Sequence, residues 1–197
     1  RTHVLRPTWH FVAPEDLRWI QALTGERVLS GLAARQRQLG LDDDRLVGRG
    51  LDALATMLEG RTFLTRREIG DAFAATGGLV SAGEQLGHLL IIAECRALIC
   101  SGPTRGVHHS YALVDEVVPP APALDRDEAV TRLVQRFFAG HGPATDRDFA
   151  RWSGLPLGDT RRALAALGDR LDEVTVEGTT LWYDPAAVTR RRPRAPA

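Results

Sequence analysis

Residues 64–69 read Leu64-Thr65-Arg66-Arg67-Glu68-Ile69. A threonine followed three residues later by glutamate, just ahead of an apolar periodicity, is a capping box that starts a helix. That helix carries Ile69, Ala72 and Phe73 and stops at Gly77-Gly78, a C-terminal cap. Ser81 reads as the cap of a longer helix bearing Leu86, Leu89, Leu90, Ile92, Ala93 and Ala97. Leu98-Ile99-Cys100-Ser101 then reads as a strand, Gly102-Pro103-Thr104-Arg105-Gly106 as a turn, and Val107 to Val114 as a second strand. A further helix precedes the box, opened by Asp42-Asp43-Asp44 and carrying Leu46, Leu51, Leu54, Met57 and Leu58. Three helices, two of them joined by a short glycine turn, followed by a hairpin, give the order of a winged helix.

Toward the C-terminus the pattern returns. Pro119-Pro120-Ala121-Pro122 reads as a stiff linker. Asp125 to Ala139 is amphipathic, with Ala129, Val130, Leu133, Val134, Phe137 and Phe138 inward. Thr145 and Asp148 form a second capping box, Gly154-Leu155-Pro156 is a turn, and Leu157 to Gly168 is the next helix. Leu171–Val176, Glu177-Gly178 and Thr179–Tyr183 read as a second hairpin. The expected fold is therefore mainly α with small β-hairpins (α+β), built as tandem winged-helix units. The expected boundaries are 1–60 for an N-terminal strand and helical segment packed on the first unit, 61–118 for that unit, and 119–124 for the linker. The second unit would span 125–185, with 186–197 a basic tail or linker.

Toward the N-terminus, Thr2 to Ala13 reads as extended and Pro14-Glu15-Asp16 as a helix start. Leu17, Ile20 and Leu23 supply that helix's stripe, and a second helical segment is expected from Glu26 to Leu39. In the extended stretch Arg6, Thr8 and His10 share one face, opposite Trp9 and Phe11. A solvent-facing strand edge is the plain account of that alternation.

Composition limits the function. The 197 residues are 44% hydrophobic and carry 25 basic and 25 acidic side chains, every basic one an arginine. Zero net charge excludes a global field that draws the protein onto nucleic acid, so any such contact needs locally clustered arginine. In a winged helix the second helix of the turn enters a groove and the hairpin touches phosphates. The first unit's helix offers Glu84, Gln85 and His88, which is not a basic face; its hairpin tip offers Arg105, His108 and His109. In the second unit Arg147, Arg151, Arg161 and Arg162 are the candidates. Ordinary solvated surface arginines have the same appearance. His108 and His109 are adjacent in an expected strand, so they point apart and do not share a metal ion. Cys95 and Cys100 have no partner at zinc spacing and read as one helical and one strand cysteine. No cofactor, metal or membrane partner is expected, and a cytoplasmic monomer is. The abrupt start without methionine reads as a piece of a longer protein.

In order and spacing, several segments together resemble the AlkZ-like DNA glycosylases. They are Arg6-Pro7-Thr8-Trp9-His10-Phe11-Val12, Arg37-Gln38-Leu39-Gly40-Leu41-Asp42, Cys100-Ser101-Gly102-Pro103, Tyr111-Ala112-Leu113, Pro119 to Arg126, His141 to Thr145, and Trp152-Ser153-Gly154-Leu155. The resemblance covers nearly the whole chain. It implies tandem winged helices bent around double-stranded DNA and, in the whole protein, hydrolysis of the N-glycosidic bond of bulky alkylated or crosslinked bases. The family's catalytic Gln-aliphatic-Gln or Gln-aliphatic-Asp motif would lie upstream of the first strand. Gln36-Arg37-Gln38 has a charged centre and follows the wrong element, so it does not take that role. Arg6, Thr8 and His10 match the family's Arg-x-Thr-x-His strand and, on the resemblance, line the DNA cavity or support the catalytic glutamines. Two other readings fit the residues: a non-catalytic DNA-binding protein or regulator, and a winged-helix module that binds protein.

Overall fold

A computed structural model describes residues 1–188, with the main chain alone at Val188. The chain divides into two compact units, Arg1–Ala123 and Leu124 onward. Of the expected tail 186–197, residues 189–197 lie outside the described residues.

Unit 1 opens with two short strands rather than one extended run. β1 (Thr2–His3) pairs antiparallel with β2 (Trp9–His10), in the register Thr2↔His10 and His3↔Trp9. Leu5 turns the chain in the left-handed region, at φ 63°. Arg6 and Thr8 therefore lie in a turn and only His10 lies in a strand, so the three do not form a single strand face. Phe11, expected opposite them, is 91% exposed.

α1 (Pro14–Gln38) is one continuous helix where two segments were expected. Gly25, a poor helix former, lies just ahead of the expected second segment. Gly25 is there because α1 crosses another helix at backbone contact: a Cβ on Gly25 would stand 2.3 Å from the Cys95 carbonyl oxygen. α2 (Asp44–Leu58) follows, its N-terminus capped by the Asp43 carboxylate. β3 (Leu64–Thr65) leads into α3 (Arg66–Ala75) through the expected Thr65–Glu68 capping box, worth about 1 kcal/mol. α4 (Glu84–Cys95) starts after Gly83, later than expected. Ser81 does not cap it; its N–H and hydroxyl both donate to Gln85 Oε1, at 2.7 Å each.

β4 (Ile99–Ser101) and β5 (Ser110–Leu113) follow, and the sheet order is β3-β5-β4. The second strand is shorter than the expected Val107–Val114. Val107 is 93% exposed in the connecting loop, and Val114–Val117 forms a helical turn, α5. The main core gathers Leu54, Leu58, Ile69, Phe73, Leu86, Leu89 and Ile99. A smaller cluster holds Leu17, Cys100, Val114 and Val118.

Unit 2 repeats part of this plan. α6 (Arg126–His141) is capped by an Asp125–Glu128 box and α7 (Asp146–Ser153) by the expected Thr145–Asp148 box. α8 (Leu157–Leu167) and a 3-10 turn lead to β6 (Asp172–Val176) and β7 (Thr179–Tyr183). Glu177 and Gly178 both take positive φ, the turn that matches strand twist in a two-residue hairpin. Ala144, just before the Thr145 cap, exchanges backbone hydrogen bonds with Trp182 of β7 at 3.1 and 2.8 Å. Leu64 and Thr65 pair in the same way with β5. The core is Val130, Leu133, Val134, Phe137, Phe138, Phe149, Leu164 and Leu167, and a last helical turn, α9 (Pro185–Val188), follows β7. The whole is α+β: mainly helical, with small antiparallel sheets.

Candidate functional site

Unit 1 holds a cleft of about 1130 Å³ between the β1–β2 hairpin, the start of α3, one side of α4 and the β4–β5 loop. Its floor is Glu94, only 1% exposed, near the end of α4. The Glu94 carboxylate accepts from the His3 backbone N–H (3.2 Å) and from Trp9 Nε1 (3.2 and 3.3 Å), and His3 Nδ1 lies against its Oε2. Gln21 of α1 donates to the Glu94 carbonyl and, at 2.8 Å, to the Thr2 hydroxyl. A buried carboxylate needs such partners to offset its lost hydration. The result ties the N-terminal hairpin to α4 across ninety-one positions of sequence.

Aromatic rings make one wall. Trp9 meets His109 edge-on at 4.9 Å, and His109 meets Tyr111 at 4.5 Å. Arg1 sits over Trp9, 4.2 Å from the ring. The rim is charged. Glu68 pairs with Arg105 at 2.7 Å and Glu84 with Arg35 at 2.6 Å. Arg66 donates to the Gly83 carbonyl, reaching across α4 where Gly87 has no side chain to obstruct it. Hydrogen bonds from Thr65, then from Arg105, hold the Glu68 carboxyl below the usual range.

Burial is the main cause lowering His10, His88 and His109 below the ordinary imidazole value of 6.5. Burial also raises the Tyr111 phenol and pushes the Cys95 thiol up to about 12, so Cys95 is no nucleophile. For the three histidines the unfolded chain binds protons first as pH falls. Stability is therefore full above about pH 6.5 and declines toward the lower folded values. We expect the melting temperature to be level above about pH 7 and to fall between about pH 6.5 and 5, before the carboxylates titrate. A His88→Gln variant should flatten part of that fall. A melting temperature level throughout that window would contradict the assignment.

The cleft gathers some of the expected residues and not others. Thr8, Arg105, His108 and His109 line it; Arg6 and His10 do not. Arg6 is exposed, and His10 bonds the Thr8 carbonyl at 3.0 Å. In unit 2, Arg147 and Arg161 border a separate depression between α7, α8 and the β6–β7 hairpin. Arg161 pairs with Asp146 (2.8 Å), Arg162 with Asp159 (2.6 Å), and Arg147 and Arg151 are exposed. The β6–β7 hairpin carries Asp172, Glu173 and Glu177 and no arginine, which disfavours phosphate there. His3, Trp9, Arg66, Arg67, Glu94 and Tyr111 were not foreseen as site residues. Glu94 did leave a signal, a lone carboxylate closing the apolar run Leu89-Leu90-Ile91-Ile92-Ala93. Among the described residues no three His, Cys, Asp or Glu side chains form a metal-binding group, and no helix is long and apolar enough to cross a membrane.

A fixed carboxylate, an aromatic wall and a charged rim thus line one cleft of unit 1. The chain belongs to the DNA glycosylase AlkZ-like family, whose model matches residues 1–197. An interstrand DNA cross-link repair glycosylase of Streptomyces sahachiroi is 32% identical over 142 residues, which are 64% of this chain and 36% of that protein. The solved structure of the DNA glycosylase AlkZ from Streptomyces sahachiroi superposes with a TM-score of 0.73 at 25% identity. The superposition covers 95% of this chain and 53% of that one, so the chain spans about half the length of its solved relative.

Proposed function

We propose that this chain is the DNA-holding segment of an AlkZ-like glycosylase, acting as two winged-helix units, 61–118 and 125–185, on double-stranded DNA as a monomer. The observation that carries the reading is the unit 1 cleft, where α4, the β4–β5 loop and the hairpin of the Arg-x-Thr-x-His sequence converge. Family membership supports DNA as the partner. In unit 1, Arg105, His108 and His109 serve the contact from the loop, and Thr8 from the hairpin. In unit 2, Arg147, Arg151, Arg161 and Arg162 serve it from the helices, since the hairpin there is acidic. Arg6 and His10, which do not line the cleft, would support the catalytic glutamines of the whole protein. The whole protein would hydrolyse the N-glycosidic bond of a bulky alkylated or crosslinked base, with a positioned water attacking a sugar of oxocarbenium character.

Two measurements test this. Duplex binding by the chain should weaken steeply with salt, and Arg147→Ala with Arg151→Ala should lower the log–log slope by about one for each phosphate no longer neutralised. A flat slope removes the DNA reading. Base release from an alkylated duplex by the full-length protein, with this chain run beside it, then tests the chemistry. Binding without release by the full-length protein leaves a non-catalytic DNA binder.

A further inference from the structure

We propose that the outer edge of β6 in unit 2 receives an extended, basic segment of a protein partner as an added strand. The inference goes beyond the holding of DNA and does not depend on it.

β6 and β7 form a sheet of two strands, and the far edge of β7 is paired with Ala144. Among the described residues no strand pairs with the other edge of β6. All the residues of β6, Asp172–Val176, are exposed, and its length is that of an ordinary strand rather than a blunted one. The register with β7 runs unbroken from Asp172↔Tyr183 to Val176↔Thr179, and no proline interrupts it. Open N–H and C=O groups along such an edge are a template for another strand.

The side chains beside that edge say what the added strand carries. Val174 and Val176, two residues apart, point the same way and are 40% and 50% exposed. Leu181 lies opposite Val174 and is half-buried. Glu173 and Thr175 point to the other face. A strand laid against β6 therefore meets valine on one face and a carboxylate on the other.

Charge selects the occupant. Asp172 and Glu173 stand at one end of β6 and Glu177 at the other, in the turn. None of the three is held in an ion pair among the described residues. Their potential repels phosphate, which sets this edge apart from a nucleic-acid contact. It also disfavours a second copy, because β6 against β6 brings the same carboxylates together along one ribbon. Arginine or lysine at alternate positions answers the acids, and apolar residues between them cover the valines. The segment that fits is extended and alternates basic with apolar residues.

The test uses the 197-residue chain and a short synthetic peptide of alternating arginine and valine, with a glutamate–valine peptide beside it. We expect the arginine peptide to bind and to slow amide exchange along β6, and the glutamate peptide to do neither. Glu173→Arg combined with Glu177→Arg, both at exposed positions, should weaken the arginine peptide about tenfold, as two exposed charge pairs turn from attraction to repulsion. The same variant should admit the glutamate peptide. Its duplex binding should not weaken, so failure of this inference leaves the DNA reading untouched. No binding, equal binding of the two peptides, or binding unchanged by the charge reversal overturns the proposal. Binding without protection in β6 overturns the edge pairing. Protection of β6 that rises with chain concentration alone makes a second copy the occupant, and protection on adding duplex DNA makes it nucleic acid; either result overturns the proposal.

Discussion

Gly25→Ala is expected to destabilise unit 1 by roughly 3 kcal/mol, the upper end for an overpacked core. The added Cβ would meet the Cys95 carbonyl oxygen at 2.3 Å and its carbonyl carbon at 3.2 Å. Both are backbone atoms of a helix end, and no rotamer change relieves them. α1 must move off α4, and with it go the Gln21 bonds to the Glu94 carbonyl and to Thr2. Elsewhere in a helix the same substitution is stabilising, by up to about 1 kcal/mol. Gly31 supplies the control, lying in α1 with nothing within 4 Å of its added Cβ. Urea melts should move in opposite directions for Gly25→Ala and Gly31→Ala. A Gly25→Ala chain as stable as the parent would mean that the two helices are not in backbone contact.

That contrast shows where sequence reading stops. Thr65-Arg66-Arg67-Glu68 and Thr145-Asp146-Arg147-Asp148 were legible because a capping box closes within four residues. Glu177-Gly178 was legible because a two-residue turn fixes its own backbone. Gly25 was not, since the reason for glycine there is Cys95, brought alongside only by the tertiary fold. The same holds for Ser81, whose capping chemistry was plausible but whose partner proved to be Gln85. Val107 has strand propensity but lies outside the sheet, fully in solvent. The cleft was half legible. Thr8, Arg105, His108 and His109 stand in loops whose polarity marks them, whereas Glu94 and Tyr111 sit in runs that read as core. Their role depends on His3 and Trp9, far away in sequence, and no local pattern encodes that meeting.

Glu94→Ala is expected to cost about 3 kcal/mol, for a reason that separates it from the surface acids. Glu94 is 1% exposed and is the shared acceptor for the His3 N–H, the His3 ring and the Trp9 indole N–H. Alanine leaves these donors without their shared acceptor and removes the bonds that hold the hairpin to α4. Glu94→Gln keeps one acceptor oxygen and turns an amide N–H₂ toward groups that also donate, so about half that loss is expected. Glu84→Ala removes an exposed carboxylate from the same helix and should change the melting temperature little. Hydrogen exchange locates the effect. If Glu94 anchors the hairpin, the His3 and Leu5 amides should lose protection in Glu94→Gln well beyond the global change. Trp9 emission should shift to the red as the freed indole meets water. Protection at those amides that falls only in step with the rest of unit 1 would show the carboxylate to be a general core contact. The hairpin, and with it Thr8 and Trp9 at the cleft, would then be held by its other bonds, those of Thr2 with Gln21 and of the Leu5 N–H with Thr24 among them.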